Sequence, residues 1–410
     1  MRILYASQYF PPEMGAPAAR VSALARRWAA RGHDVTVLTA FPNHPTGVIP
    51  PEYRGEIRRL ETWHGARVVR TFVWAAANKG VLKRGIAYAS WAASAIALGH
   101  GPAGRPDLVL ATSPQFLVAL SGWALSRLKG VPFVLEVRDL WPDSIVAVGA
   151  LPPHSPAIRA LRRLERFVYG QADLVVSVTR SFVPHLRSNG ARRVAVIPNG
   201  ADPEQFRVDA SRDALRERYG LGDRFVAVFA GTLGMAHGLE TVIDAAERLR
   251  DDPRFLFWLV GEGARRSELE AEAARRGLTN VRFEGQVDRS AIPGVLAAAD
   301  ASLVLLRPTP LFETVLPSKM FEAMAAGCPI VLGVRGEACE VLETSGGGIA
   351  IPPGDADALV AALRRLAADP VGARRMAERG RAFVAREYSH EAMAERYERE
   401  LLELLRDLRG

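Results

Sequence analysis

Short apolar runs alternate with stretches of helical periodicity along the whole chain. Residues 2–6 predict a buried strand, residues 17–31 place apolar side chains on one helical face, and residues 34–39 predict a second strand. A strand, a helix and a strand over about 30 residues are typical of a βαβ unit. Because the alternation continues, the pattern predicts parallel sheets covered by helices on both faces.

The same pattern locates the remaining elements. In the first half, further strands are predicted at 67–73, 107–112, 132–138, 173–177 and 193–197. In the second half, strands are predicted at 225–230, 255–260, 281–284, 301–305 and 329–332, with helices at 239–250 and roughly 390–408. The turn-rich segment 197–203 predicts the domain boundary. We therefore expect an α/β protein with two Rossmann-like domains, residues 1–200 and 201–390, and a closing helix over 391–410.

The composition is that of a globular protein. The chain has 410 residues, of which 49% are hydrophobic and 24% charged, and this excludes a disordered or fibrous chain. Cys328 and Cys339 are the only cysteines, too few for a disulfide scaffold or a structural zinc site. The first residues show no signal-peptide pattern, so we expect a reducing, cytoplasmic compartment.

Charge is divided unevenly between the halves. Residues 1–200 carry 25 Lys and Arg against 11 Asp and Glu, whereas residues 201–410 carry 28 against 34. Six of the seven tryptophans also lie in the first half. This bias predicts that the first half faces an anionic surface. No nucleic-acid recognition motif is present, so we expect a membrane and no nucleic-acid partner.

Two helical stretches bear on that expectation. Residues 85–99 are uncharged but shorter than the ~20 residues of a membrane span, which favours a buried helix over an interfacial one. Lys79, Lys83 and Arg84 just before them favour the interfacial alternative. Residues 156–168 predict a basic amphipathic helix, which suits either an anionic membrane or plain solvent.

Candidate chemistry lies in the loops that follow the strands, because parallel sheets bind ligands at their carboxyl ends. Gly15 precedes a helix N-terminus, where free amide groups can hold an anion. The turn at 230–238, with Gly231, Thr232 and His237, precedes a second one. Neither is a dinucleotide fingerprint or a P-loop.

The stretch 317–330 is the most informative. Ser318 and Lys319 begin a predicted helix, where amide groups and an ammonium can meet phosphate. Glu322 lies one turn further, and its carboxylate can accept both hydroxyls of a ribose. Lys319 stands out because only four of the 53 cationic residues are Lys. The alternative is a solvated Lys beside a helix-favouring Glu.

Two acidic patterns are ambiguous. Arg138 and Asp139 end a predicted strand, where they form either a reactive charge pair or a structural salt bridge. Asp355 and Asp357 have the spacing of a metal-binding motif, but a helix N-cap at Asp355 is favoured and no metal is assigned.

Taken together, these stretches resemble the group 1 (family 4) glycosyltransferases of GT-B fold, in which two Rossmann-like domains face each other across a cleft. The matching features are Pro11–Pro12 with Gly15, 197–202, 259–263, 283–287, 321–329 and Gly354–Asp355. Three further stretches, 42–47, 138–142 and 317–319, look like the branch that builds O-antigen, colanic acid and capsule.

The resemblance implies roles for particular positions. The C-terminal half would bind the nucleotide sugar and the N-terminal half the acceptor. Gly15 would lie at the donor phosphate, Glu322 at the ribose, and residues near Val287 at the base. Transfer would retain the anomeric configuration and need no metal or other cofactor.

This sequence departs from the family pattern at three points. The Glu that normally precedes Glu322 by eight residues is replaced by Thr314, with Glu313 beside it. The cations of the family's phosphate clamp are missing at Thr232 and His237, so Lys319 would replace them. The usual strand-end His-Asp is Arg138–Asp139.

We therefore expect a hexosyltransferase that moves a HexNAc-type sugar from a UDP-sugar to a polyprenyl-linked or glycan acceptor. Arg138, Asp139 and Lys319 would be catalytic, with Lys319 and helix amides stabilising the departing diphosphate. The enzyme would lie peripherally on the inner face of the bacterial plasma membrane. The alternatives are a UDP-sugar epimerase of GT-B fold and a non-catalytic GT-B partner subunit.

Overall fold

The computed structural model describes residues 1–13, 15–44, 46–76, 81–113, 116–147 and 149–408, of which 81 and 82 are described for the backbone only. Met14, Pro45 and Lys79, which belong to stretches singled out above, lie outside these residues. The chain forms two compact units. Unit 1 comprises residues 1–198 and 393–410, and unit 2 comprises residues 199–392.

Unit 1 is built on an eight-stranded sheet in the order β3-β4-β2-β1-β5-β6-β7-β8. Its strands are β1 (Arg2–Ala6), β2 (Asp34–Ala40), β3 (Arg58–Trp63), β4 (Ala66–Thr71), β5 (Leu108–Thr112), β6 (Phe133–Val137), β7 (Leu174–Ser177) and β8 (Val194–Val196). Its helices are α1 (Ala16–Ala30), α2 (Val81–Gly99), α3 (Leu117–Lys129), α4 (Asp143–Ala147), α5 (Pro156–Gln171) and α6 (Val183–Ser188). All neighbouring strands are parallel except β3 and β4.

Unit 2 is built on a six-stranded parallel sheet in the order β11-β10-β9-β12-β13-β14. Its strands are β9 (Phe225–Ala230), β10 (Phe255–Val260), β11 (Val281–Glu284), β12 (Ala301–Leu305), β13 (Ile330–Gly333) and β14 (Gly348–Ala350). Its helices are α7 (Arg212–Arg218), α8 (Glu240–Arg248), α9 (Arg266–Arg275), α10 (Ile292–Ala298), α11 (Ser318–Ala325), α12 (Glu337–Ser345), α13 (Ala356–Ala368) and α14 (Pro370–Glu387).

The last helix, α15 (His390–Asp407), joins unit 1 from Met393 onward. The Trp28 indole N–H donates to the carbonyl oxygen of Ala394 at 3.2 Å. Arg31 pairs with Glu395 and Glu398 on the same helix. The acidic face of the closing helix thus lies against the basic half of the chain, while its apolar stripe completes that unit's core.

The predicted strands at 225–230, 255–260, 281–284 and 301–305 are confirmed to the residue. Strands β3 and β14 were missed. The charged edge strand β3 lacks an apolar run because one of its faces is exposed, with Leu60 64% exposed, and the other is only half-buried. β14 is only three residues long.

The apolar stretch at 85–99 is confirmed as a packed helix. α2 buries Ala87, Trp91 and Ala95, while Ile86 is exposed. No helix in the described parts of the chain is long and apolar enough to cross a bilayer. The tryptophan argument for a membrane-facing half is weakened, because Trp28 and Trp91 are fully buried in the core.

Candidate functional site

The predicted donor residues of unit 2 meet where its strand order reverses. β9 lies between β10 and β12, so the chain leaves the sheet in opposite directions from these central strands. The loops after β9 and β12 therefore border a crevice at the carboxyl edge, the usual ligand position in such sheets. They carry Gly231 and His237 on one side, and Thr314 and Lys319 on the other.

Glycine is required at position 231 for two reasons, its backbone conformation and the close approach of the Lys319 side chain. Its φ of +138° lies in the region that only glycine adopts readily. A Cβ at this position would lie 2.5 Å from Lys319 Cε and 2.6 Å from Lys319 Nζ. The Lys319 side chain thus lies directly across the turn after β9, which brings together two residues predicted separately.

The Lys319 ammonium is a buried cation with no hydrogen-bond partner among the residues that the structure describes. The side chain as a whole is half-buried, but Nζ is shielded from solvent. Nζ lies 3.8 Å from the centroid of the Phe229 ring, and this cation–π contact offsets part of the lost hydration. Burial lowers the pKa of Lys319 to about 7, against the opposing charge of Glu322. The alternative of a solvated Lys is wrong.

His237 lies in the same cluster but supplies no charge. Its ring packs against the edge of Phe229 with the centroids 5.3 Å apart, and Nδ1 lies 3.3 Å from the carbonyl oxygen of Leu305. Burial and the charge of Lys319 lower the pKa of His237 to about 3, so its imidazole is neutral at pH 7. Thr232 is exposed beside it. Lys319 is therefore the cation of this cluster.

Helix α11 directs backbone donors toward the same crevice. Ser318 is its first residue, and the N-cap Pro317 gives no side-chain hydrogen bond to the free amide groups. The helix dipole adds a partial positive charge there, which favours an anion beside Lys319.

Glu322, one turn into α11, faces a cleft of about 500 Å³. Its Oε1 accepts a hydrogen bond from Arg289 Nη2 at 3.1 Å. The cleft is also lined by Tyr219 and by residues 290–294, just beyond the half-buried Val287. A carboxylate, an aromatic ring and exposed main chain suit a nucleoside in this cleft.

Glu313 and Thr314 form a 3₁₀ turn ahead of α11. The Thr314 hydroxyl donates to the carbonyl oxygen of Leu311 at 2.6 Å, so its hydrogen is used within the turn. The Glu313 carboxylate lies 3.7 Å from Arg335. A Cβ at Gly336 would clash with the Glu313 carbonyl oxygen, so the turn packs tightly on the start of α12.

In unit 1 the structure brings Gly15 and Arg138 together. Gly15 is the N-cap of α1 with a φ of +132°, and Arg138 Nη2 donates to the carbonyl oxygen of the next residue, Ala16, at 3.1 Å. Arg138 Nε and Nη1 are buried and have no partner in the part of the chain that the structure describes. Burial lowers the pKa of Arg138 to about 10, so this guanidinium is still charged at pH 7.

Among the described residues Arg138 and Asp139 form no ion pair with each other, so the structural salt bridge is wrong, whereas the catalytic roles of the two residues stay a prediction. The Asp139 carboxylate accepts hydrogen bonds from Ser144 and from the Leu140 amide, and burial raises its pKa to about 6. It lines a separate apolar pocket that includes Trp141. Adjacent residues at a strand end point in different directions, and this separates the two charges.

Sequence reasoning missed Glu13. Its carboxylate accepts hydrogen bonds from the amide groups of Asn43 and His44, both at 2.9 Å, and of Phe10 at 3.4 Å. Burial raises its pKa to about 7. Glu13 thus ties the loop after β2 to the loop after β1.

A second missed group lies within unit 1, at the end of its first chain segment. Arg20 Nε donates to Glu136 Oε2 at 2.9 Å, and its other nitrogens donate to the carbonyl oxygens of Pro198 at 2.6 Å and Ile197 at 2.8 Å. Arg20 is 6% exposed and Glu136 is fully buried. The Arg20–Glu136 pair thus fixes the backbone at Ile197 and Pro198, where the first chain segment of unit 1 ends.

The structure places Asp355 as the N-cap of α13. Its side chain accepts from the Ala358 amide at 2.9 Å, as predicted. Asp357 pairs with Arg248 instead. Among the described residues, no group of three or more His, Cys, Asp or Glu side chains is arranged to hold a metal ion.

Comparison with known proteins identifies the family. Residues 15–200 match the glycosyl transferase 4-like domain, and residues 211–383 match the glycosyl transferases group 1 family. The putative colanic acid biosynthesis glycosyl transferase WcaI of Escherichia coli is 28% identical over 424 residues, covering 100% of both chains.

Solved structures share the fold over nearly the whole chain. Sucrose-phosphate synthase from Thermosynechococcus elongatus has a TM-score of 0.79 at 20% identity, covering 99% of each chain. HepE from Anabaena, solved with UDP-glucose, has a TM-score of 0.74 at 20% identity, covering 98% of this chain and 100% of that one. The chain belongs to the group 1 (family 4) glycosyltransferases, has the GT-B fold, and is related to enzymes of colanic acid biosynthesis.

Proposed function

We propose that this glycosyltransferase moves a HexNAc-type sugar from a UDP-sugar to a polyprenyl-linked or glycan acceptor, with retention of anomeric configuration and without a metal. The observation that carries the proposal is the unpartnered Lys319 ammonium beside the capless N-terminus of α11. A buried ammonium without a counterion lowers stability, so its presence points to an anionic ligand that completes the site.

The donor fits the crevice of unit 2 in a definite direction. The diphosphate lies at Lys319, Ser318 and the Gly231 turn, where the charge is positive and the backbone open. The ribose hydroxyls meet the Glu322 carboxylate, which lines the cleft, and the uracil would lie toward Val287, just before the lining residues 289–294. HepE, which shares the fold, was solved with UDP-glucose, and this supports UDP as the nucleotide.

Catalysis then consists mainly of stabilising the leaving group. The bond between the anomeric carbon and the diphosphate oxygen breaks, and the acceptor hydroxyl oxygen bonds to the same carbon from the same face. The hydroxyl proton goes to the leaving phosphate oxygen, and the charged Lys319 and the α11 amides stabilise the developing UDP charge. Arg138 keeps its proposed catalytic role as a buried cation at the α1 N-terminus, where its Nε and Nη1 have no partner among the described residues. Asp139 is not needed as a base in this scheme.

Membrane location is the second part of the proposal. The basic face of α5 and the net positive charge of residues 1–200 favour an anionic bilayer at the inner face of the plasma membrane. The test is cosedimentation with vesicles of anionic and of neutral lipid at low salt. If the same fraction of protein cosediments with both vesicle types, the proposed membrane location is contradicted and the donor proposal is unaffected.

The donor is tested with a thermal-shift panel of UDP-, GDP-, dTDP- and ADP-sugars on the wild type, Lys319→Met and Glu322→Gln. Ligand binding to the native state raises the unfolding temperature. We expect a shift with UDP-sugars that both substitutions reduce. A shift with another nucleotide would correct the donor, and no shift with any of them would favour a non-catalytic subunit. Turnover of a UDP-sugar without acceptor would favour an epimerase.

A further inference from the structure

Unit 1 contains an apolar pocket that the donor chemistry does not use. It has a volume of about 590 Å³ and lies between the starts of α2 and α3, the turn after β6, and α5. Phe116, Trp141, Ile145, Leu151 and Leu161 form most of its wall. The Phe116 and Trp141 rings lie parallel at 4°, with their centroids 6.4 Å apart, and give the pocket a flat aromatic side. Its size and lining are those of a site for an apolar ligand.

Helix α5 contributes to the pocket with a face of its own. Its buried residues Ile158 and Val168 pack into the unit, whereas Ala157, Ala160 and Leu161 line the pocket. These three residues are spaced i, i+3 and i+4, so they form a second apolar stripe on the same helix. The small side chains of Ala157 and Ala160 leave the pocket open there, and both residues are exposed.

The polar edge of the pocket is cationic. Arg84 lines it and donates to the Tyr88 hydroxyl at 3.2 Å, with no carboxylate partner among the described residues. On α5, Arg159 and Arg163 flank the apolar stripe, are exposed, and form no ion pair within the described ranges. The one acid in the lining, Asp139, is already bound by Ser144 and the Leu140 amide.

We propose that this pocket binds the hydrocarbon chain of a lipid phosphate, with Arg84 and the α5 arginines holding the phosphate. An apolar cavity with a cationic edge matches an amphiphile that has an apolar chain and an anionic head, and no water-soluble sugar has that combination. The proposal rests on the proposed function in one respect: it makes the acceptor lipid-linked rather than a free glycan. The pocket lies wholly in unit 1, the half predicted to bind the acceptor.

The test uses calorimetric titration of the full chain with octyl, decyl and dodecyl phosphate below their micelle concentrations. Each methylene buried in an apolar site strengthens binding by up to about fourfold. We expect the affinity to rise with chain length by two- to fourfold per methylene. Inorganic phosphate should bind at least 100-fold more weakly than decyl phosphate.

Two pairs of variants locate the site. Ala160→Trp fills the pocket and should weaken decyl phosphate at least tenfold, whereas Ala97→Trp, on the exposed face of α2 away from the pocket, should not. Arg84→Gln should weaken decyl phosphate about tenfold but leave decanol binding unchanged. Arg187→Gln, an exposed arginine on α6, should change neither.

The outcomes separate this proposal from the donor proposal, because no nucleotide is present in the titration. Chain-length dependence lost only in Ala160→Trp supports the pocket even if the UDP-sugar panel is negative. Equal affinity for decyl phosphate in Ala160→Trp and the wild type overturns the proposal. Nucleotide binding without any alkyl phosphate binding also overturns it and leaves a free glycan as the acceptor.

Discussion

Two buried cations in this molecule have opposite surroundings. Arg20 in unit 1 meets the Glu136 carboxylate and two backbone carbonyls, so three of its nitrogens have acceptors. The Lys319 ammonium in unit 2 lies over the face of Phe229 and has no hydrogen-bond partner within the described ranges. Both lie near strand ends, and neither is open to solvent. The paired cation belongs to the structure of the fold, and the unpaired one is free for a ligand.

The choice of side chain suits each place. An arginine keeps its charge in any surroundings and can bind a carboxylate and two carbonyls at once. A lysine loses its proton when buried, and the pKa of Lys319 is lowered to about 7. In the proposed donor site, Lys319 is therefore partly neutral at pH 7 without ligand, and we expect it to become charged when a diphosphate binds. Its burial lowers stability in the free protein, which is the usual trade between activity and stability.

The largest expected effect is on the paired cation. Arg20→Met leaves Glu136 buried without its partner, so the free energy of unfolding should fall by about 3–5 kcal/mol. Denaturant unfolding measures it. The double variant Arg20→Met with Glu136→Gln should recover part of the lost stability. Arg31→Met removes a partly exposed ion pair with Glu398 and should lower the free energy of unfolding by at most about 1 kcal/mol. If Arg20→Met lowers the free energy of unfolding by less than about 1 kcal/mol, the claim that Arg20 is the structural cation of the two is contradicted.

Lys319→Met should have the opposite pattern. Removing the charged hydrogen bonds to phosphate should weaken UDP-sugar binding about 10- to 100-fold. The unliganded variant should unfold at the same or a higher temperature than the wild type. A loss of stability as large as that of Arg20→Met would show that Lys319 is structural.

The stability gain of Lys319→Met should depend on pH. The native pKa of Lys319 is about 7 and the unfolded one is 10.5, so the unfolded wild type binds more protons between these values. Wild-type stability therefore rises with pH across this window as the cost of the buried charge disappears. The advantage of the variant should be largest below about pH 7 and be gone above about pH 10. Unfolding temperatures across this range measure it, and an advantage that grows with pH would contradict the assignment.

Gly231→Ala should have an intermediate effect. A non-glycine residue at this φ costs about 1–3 kcal/mol, and the new Cβ would displace the Lys319 ammonium. We expect UDP-sugar affinity to fall about tenfold. Gly222→Ala is the matched control, since Gly222 also has a positive φ but nothing lies within 4 Å of its Cβ position. Equal affinities in the two variants would mean that backbone strain, and not Lys319, sets binding.

The smallest effect is expected at Glu322. Its ion pair with Arg289 is partly exposed, so Glu322→Gln should change stability by less than about 1 kcal/mol. Binding of UDP should weaken about five- to tenfold, because Gln keeps only one oxygen acceptor for the ribose diol. Binding of 2′-deoxy-UDP should weaken less. An equal loss for both nucleotides would contradict the ribose assignment.

The parts of this account that the sequence predicted are those carried by local pattern. Apolar runs located the central strands, and a rare Lys after a Pro-Ser turn marked α11. The pairing of Arg20 with Glu136 joins residues 116 positions apart, and no local pattern encodes it. Glu13 has no distinguishing sequence pattern, because its amide donors, Asn43 and His44, lie about 30 positions away in the loop after β2.

Side-chain direction was the other gap. Arg138 and Asp139 are adjacent in sequence but lie in different surroundings, one at the α1 N-terminus and one in an apolar pocket. The pattern of 156–168 predicts one basic amphipathic helix, whereas α5 has a buried stripe and a second apolar stripe along the pocket. Periodicity shows that a helix has a face but not what that face contacts.

The most direct test of the central claim is proton uptake when UDP-GlcNAc binds at about pH 8, measured by calorimetry in two buffers of different ionisation enthalpy. The donor diphosphate does not titrate near this pH, whereas Lys319 is mostly neutral before it binds. The wild type should take up close to one proton per ligand, and Lys319→Met should take up none. Tight binding without proton uptake, or equal uptake in both proteins, would contradict the assignment of Lys319 to the diphosphate.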